Sequence, residues 1–129
     1  MAGSSAEFHE SEDRLRPETM DRHRAIVSIM EEFEAVDWYD QRIDAAGDDE
    51  LRAVLEHNRD EEKEHAAMTL EWLRRRDSAL DRALRQYLFT EGPVLAIEQE
   101  AEGAGGEAGR SDGNGHGPSL GIGSLRRRN

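Results

Sequence analysis

A glutamate and a histidine stand three residues apart at Glu62 and His65, in a stretch with helical character. Side chains at this spacing project from the same face of a helix, so both can bind one metal ion. Di-iron carboxylate bundles use two such Glu-x-x-His pairs together with two further glutamates. This chain has one pair and one good candidate for a further ligand, Glu32, which amounts to half of a ligand set.

The three candidate ligands fall on apolar stripes. A helical projection places Glu32 in the direction of Ala25 and Val36 on the first long helix, and places Glu62 and His65 within the apolar stripe of the second. A carboxylate removed from water is costly unless it is paired or ligated, and these stripes contain no compensating Arg or Lys. An isolated histidine there is usually a hydrogen-bonded core residue, but the three together favour a cation site.

Half a site predicts a second copy of the chain. In an antiparallel hairpin the three side chains lie at similar height, and a two-fold axis brings two Glu32, two Glu62 and two His65 together. Such ligands suit iron or manganese, with zinc a possible occupant. Bridging carboxylates would hold two irons close enough to reduce dioxygen together. Tyr39, two turns from Glu32 on the same face, could support the ligands.

A second polar cluster lies on the opposite side of the first helix, where Glu31, Glu34 and Trp38 share a face with His23 and Met30. One interpretation is a second subunit interface with a peripheral site for divalent cations. The alternative is an ordinary solvated acidic face.

The elements that position these residues are all helical, because strand patterns are absent. Breakers and apolar periodicity predict helices over 17–46, 50–76, about 78–88 and 94–101. The turn at Gly47-Asp48-Asp49 is so short that the two long helices should form an antiparallel hairpin. One hairpin leaves apolar surface bare, so the predicted fold class is all-α, a two-helix hairpin plus a short C-terminal helix, dimerising into a ferritin-like four-helix bundle.

The ends of the chain differ from this helical part. We expect a flexible N-terminal arm over 1–12, the helical domain over 13–101 and a flexible Gly-rich linker over 102–117. Residues 118–129 follow, with Leu120, Ile122 and Leu125 between small residues. An apolar motif on a flexible tether favours a docking peptide over a frayed terminus.

The composition of the chain excludes several classes of function. The net charge is −12 over 129 residues, which argues against a nucleic-acid partner and suits attraction of cations. The absence of cysteine excludes disulfides, thiolate nucleophiles and Cys-ligated iron–sulfur clusters. No apolar run approaches the length of a membrane span, so we expect a cytoplasmic protein with no membrane partner.

Three segments, His23–Tyr39, His57–Leu73 and Tyr87–Pro93, strongly resemble the encapsulated ferritins. The segment Ser119–Leu125 looks like the peptide by which such cargo docks inside an encapsulin shell. The four residues that follow it, Arg126–Asn129, depart from that pattern.

The resemblance implies a ferroxidase, which oxidises ferrous iron with dioxygen for mineral storage in the lumen of a cytoplasmic encapsulin nanocompartment. It implies open rings of ten subunits built from dimers. The ferroxidase ligands carry over to Glu32, Glu62 and His65, with Tyr39 beside them. The acids through which iron enters carry over to Glu31 and Glu34, with Trp38 adjacent and His9 as a further candidate.

Two other functions remain as alternatives. A helical adapter with a tethered tail could recruit other proteins, but it has no use for buried Glu32, Glu62 and His65. A rubrerythrin-like di-iron protein that senses or reduces oxygen or peroxide is the second, and the lack of cysteine counts against it.

Overall fold

The structure is a computed structural model that describes residues 4–112. Within that range it is all-helical, which confirms the predicted fold class. After a single 3-10 turn at Glu12–Arg14 come four helices: α1 at Pro17–Ala45, α2 at Asp49–Arg74, α3 at Ser78–Tyr87 and α4 at Val94–Asp112.

The two long helices begin and end within two residues of the predicted positions. Pro17 occupies the first turn of α1, where its missing N–H leaves no helical hydrogen bond unmade. At the start of α2 the side chain of Asp48 accepts a hydrogen bond from the backbone N–H of Leu51 at 2.8 Å. The three residues between the helices leave no room for anything but a tight reversal, so α1 and α2 pack as an antiparallel hairpin.

The interior of the hairpin is narrow. The buried apolar residues of the described part are Ala25 and Ile43 on α1, and Ala66 and Leu73 on α2. Two of the four are alanines, which let the helix backbones approach closely but remove little apolar surface from water. The single chain therefore keeps much of its apolar surface exposed.

The described residues divide into two compact units, one ending at Asp81 and one beginning at Arg82. At the end of the first unit, Asp77 accepts a hydrogen bond from the N–H of Leu80 at 3.0 Å and starts α3. Arg74 bonds both Glu71 and Asp81, which ties the end of α2 to the start of α3.

In the second unit, Gly92 has a φ of 87°, a conformation open to glycine, and Pro93 precedes α4. This helix continues past Ala101 to Asp112, so the prediction of a flexible linker from residue 102 is wrong for its first part. Glycine lowers helix stability by about 1 kcal/mol per residue but does not block the helix as proline does, and no proline lies between 94 and 112.

The rest of the predicted linker and the predicted docking peptide, residues 113–129, lie outside the described range. Among the helices that are described, none is long and apolar enough to span a membrane.

The segment predicted as a flexible arm lies against α1 in this structure. The ring of Phe8 packs against that of His23 at a tilt of 47°, with centroids 4.6 Å apart, and His23 Nε2 lies 2.9 Å from the carbonyl oxygen of Ala6. The prediction overlooked Phe8, whose ring finds an aromatic partner on the first turns of α1.

Candidate metal centre

Glu32 on α1 has an unusual environment. Its side chain is half-buried, and its Oε2 atom is buried without a hydrogen-bond partner in the described part of the chain. Burial raises the pKa of this carboxyl, and the negative charges of Glu62 and Glu31 raise it further, while His65 lowers it. An oxygen left without a donor in this way has room for a proton or a cation.

The Glu-x-x-His pair lies on α2 and faces the same region. Glu62 Oε2 is 3.7 Å from His65 Nδ1, and the two side chains are 28% and 51% exposed. Both act electrostatically on Glu32, so the structure brings the three predicted ligands of one chain into one neighbourhood.

The three side chains are less buried than predicted. Glu32 and Glu62 are half-buried, and His65 is exposed. The prediction that all three lie in a buried stripe is therefore wrong for the single chain, because the hairpin covers only one edge of each stripe. Among residues 4–112 no three carboxylate or imidazole side chains come close enough together to hold a metal ion within one chain.

Tyr39 is half-buried on α1, and the structure gives it a neighbour that sequence reasoning missed. The guanidinium of Arg42 lies 5.6 Å from the centre of the Tyr39 ring and 5.9 Å from that of Trp38. A cation at this distance is attracted to the faces of both rings. Among the described side chains, Tyr39 forms no hydrogen bond with the three ligands.

The second cluster is open to solvent. Glu31, Glu34 and Trp38 are all exposed in the single chain. His9 Nε2 lies 3.3 Å from the carbonyl oxygen of Ser4 in the N-terminal arm, and its part in this cluster stays a prediction. The negative charge of Glu31 contributes to the raised pKa of Glu32.

The same two helices also expose large apolar side chains. Six of them are exposed in the first unit besides Trp38: Ile26, Met30, Phe33, Leu51, Val54 and Met68. An exposed apolar surface of this extent is typical of a protein interface. The incomplete ligand set and the bare apolar surface thus belong to the same two helices.

Sequence comparison identifies similar proteins over nearly the whole chain. The EncFtn-like family model matches residues 7–91. The "Encapsulated ferritin-like protein" of Rhodospirillum rubrum is 62% identical over 132 aligned positions, which cover 98% of this chain and 92% of the relative. The "Encapsulin nanocompartment cargo protein EncC" of Myxococcus xanthus is 32% identical, with 93% and 95% covered.

Structure comparison gives a similar result. A crystal structure of a protein from Nitrosomonas europaea matches with a TM-score of 0.65 and 59% identity. The match covers 67% of this chain and 94% of that protein.

Proposed function

Because the chain belongs to the EncFtn-like family, we propose that it is a ferroxidase whose site is completed by a second copy of the chain. The observation that carries the proposal is Glu32 Oε2, a buried carboxylate oxygen without a hydrogen-bond partner, beside a glutamate and a histidine. A cation would supply the missing partner. The names of the relatives point to a ferritin-like activity, which makes ferrous iron the substrate.

The donor set fits iron. Glu32 and Glu62 supply carboxylate oxygens and His65 supplies one imidazole nitrogen, a combination that suits iron or manganese. Their negative charge favours a divalent ion, and the half-buried position lowers the dielectric around it. The residues fit the metal better than they fit an apolar core, because no Arg or Lys of residues 4–112 forms an ion pair with Glu32.

Two chains are needed for two irons. A two-fold related hairpin would contribute a second Glu32, Glu62 and His65, and the exposed apolar side chains of α1 and α2 would be buried in the same step. This arrangement is the predicted four-helix bundle, and a ring of five such dimers is the assembly we expect. In the single chain the three ligands are exposed or half-buried, so a second copy can reach them.

The reaction is a transfer of electrons from iron to dioxygen. Two ferrous ions give up one electron each, and one dioxygen with two protons takes up both electrons to give hydrogen peroxide. The carboxylates hold the ions and stabilise the ferric product, because a higher charge binds oxygen ligands more strongly. Tyr39 lies on the same helix and stays a predicted supporting residue. Glu31 and Glu34, with Trp38, stay a predicted route for incoming ions.

The protein would work inside a shell. The names of two relatives describe encapsulated or encapsulin cargo, and we extend that role to this chain. The predicted docking peptide Ser119–Leu125 would hold it in the lumen of an encapsulin nanocompartment in the cytoplasm, where the oxidised iron is stored. An adapter without catalytic activity would leave the unpartnered Glu32 oxygen unexplained.

Stopped-flow absorbance tests the proposal directly. Anaerobic protein is mixed with ferrous iron and then with air-saturated buffer, for the wild type, Glu32→Ala and Glu56→Ala. Glu56 is an exposed acid on α2, about 120° around the helix from Glu62. We expect Glu32→Ala to lose fast oxidation and Glu56→Ala to keep it. A wild-type rate in Glu32→Ala would disprove the assignment.

A further inference from the structure

Two arginines of α2 reach across to α1. Arg52 bonds the carbonyl oxygens of Ile43, at 3.3 Å, and of Ala46, so it fastens the hairpin at its turn. Two turns further along α2, Arg59 donates to Asp40 from Nη1 at 3.0 Å. The second contact joins one side chain from each helix, nearer the turn than Glu32 and Glu62.

The ion pair lies close to the candidate metal centre. Glu32 precedes its aspartate partner by eight residues, and the same step from Arg59 towards the C terminus of α2 ends at Ala67. Because the helices are antiparallel, Ala67 on α2 lies at about the same height along the hairpin as Glu32 on α1. Glu62 and His65 lie between Arg59 and that level, within about 8 Å of it along the helix axis. Counted from the turn of the hairpin, the Arg59–Asp40 ion pair therefore lies just before the candidate ligands.

Apolar packing alone fixes the hairpin weakly at this point. The buried residues are Ala25, Ile43, Ala66 and Leu73, and no large side chain is fully buried in the described part of the chain. Small residues leave few ridges to interlock, so a helix can slide or rotate at little cost. A sliding step of one residue moves a side chain by about 1.5 Å and turns it by about 100°.

Arg59 is suited to prevent such movement. Its side chain is only 24% exposed, and its Nε also bonds Asp60 at 3.2 Å, which holds the planar guanidinium in one orientation. The hydrogen bond to Asp40, then that to Asp60, raises the pKa of Arg59. Lysine cannot reproduce this contact, because it lacks the rigid fork of donors.

We propose that Arg59 is a positioning residue, whose ion pair with Asp40 fixes the height and rotation of Glu62 and His65 relative to Glu32. The inference rests on the proposed function, because it assigns Arg59 to the same metal centre. It concerns this chain's own ligands and does not require contact between Arg59 and the metal.

Cobalt titration of the full assembled protein tests the role. Co²⁺ binds carboxylate and imidazole ligands and reports their geometry through its visible absorption, without turnover. The variants are Arg59→Gln, Asp40→Asn and the exchange Asp40→Arg with Arg59→Asp. Arg52→Gln is the matched control, because it removes an arginine contact between the same helices away from the ligands. Circular dichroism and the Tm of each variant are measured alongside.

We expect Arg59→Gln and Asp40→Asn to weaken Co²⁺ binding about tenfold and to change the absorption band. The charge exchange should recover most of the affinity, while Arg52→Gln should lower Tm with unchanged binding. Wild-type affinity in Arg59→Gln, an equal loss of affinity in Arg52→Gln, or no recovery in the exchange would overturn the positioning role.

Glu32→Gln separates this inference from the proposed function. If the wild type and Glu32→Gln bind Co²⁺ alike, the metal centre itself is misassigned. If Glu32→Gln loses binding while Arg59→Gln keeps it, the metal centre stands and only the role of Arg59 fails.

Discussion

Glu62 Oε2 and His65 Nδ1 lie 3.7 Å apart on successive turns of α2, too far for a good hydrogen bond between them. The two side chains thus share one face of α2, and the lone pairs of both atoms stay available to a third partner. Glu32 approaches from α1 with an oxygen that no described donor satisfies. A buried carboxylate oxygen without a donor is costly unless a proton or a cation satisfies it.

The first prediction concerns the stability of the metal-free protein. The raised pKa of Glu32 means that its carboxyl binds a proton more tightly in the folded state than in the unfolded state. The free energy of unfolding therefore falls as pH rises from the ordinary value of 4.5 through the raised value. Above the raised pKa the ionised carboxylate destabilises the fold, so at a pH above it Glu32→Gln should raise Tm by a few degrees, or about 1 kcal/mol.

Differential scanning calorimetry of metal-free protein at neutral pH and below about pH 4.5 checks this expectation. The advantage of Glu32→Gln should disappear at the lower pH, where the wild-type carboxyl is protonated. Glu56→Gln, at an exposed position on α2, should show no such change. A lower Tm for metal-free Glu32→Gln at neutral pH would contradict the interpretation of Glu32 as an unpaired ligand.

The sequence predicted the fold well because its helix signals are local. Pro17 and the Asp48 cap lie where α1 and α2 begin, and the family resemblance is confirmed by the EncFtn-like match. The continuation of α4 beyond Ala101 was missed, since several glycines weaken a helix without ending it. Helix propensity alone does not predict whether a glycine-containing segment of this kind stays helical.

The site was predicted in part for the same reason. Angles around a helix place Glu32, Glu62 and His65 on facing stripes, and in the structure Glu62 and His65 both affect the pKa of Glu32. Their burial was overestimated because one hairpin leaves His65 exposed. Arg59 was not predicted at all, because its partner Asp40 is on another helix and nothing local marks the pair.

The second prediction concerns the start of α2. Asp48 accepts the N–H of Leu51 at 2.8 Å, so Asp48→Ala leaves this donor without its partner and should lower stability by about 1 kcal/mol. Thermal unfolding of the metal-free protein measures the loss. Asp44→Ala is the control, because an exposed acid in the last turn of α1 opposes the helix dipole and its removal should not destabilise.

A loss of stability in Asp44→Ala equal to that in Asp48→Ala would show that charge near the turn matters and that the cap does not. We expect the two variants to retain iron oxidation, since neither residue is among the candidate ligands.

The third prediction concerns the predicted docking peptide. Removal of residues 118–129 should leave the rate of iron oxidation unchanged, because the candidate ligands lie on α1 and α2. The truncated protein should fail to co-purify with the encapsulin shell when both are expressed together. Replacement of Leu120, Ile122 and Leu125 by serine should have the same effect at full length.

Removal of Arg126–Asn129 alone is the matched control and should keep the association with the shell. Recovery of the protein lacking 118–129 with intact shells would place the docking contact elsewhere in the chain.

The exposure of His65 on the hairpin also has a consequence for a cell that makes both normal and mutant chains. If each centre draws ligands from two copies, one faulty copy disables a centre that also contains a normal one. With random mixing, half of the chains carrying Glu32→Ala would leave about a quarter of the centres intact. Such a mutation would be dominant negative. In mixing experiments the ferroxidase activity would fall with the square of the fraction of normal chains.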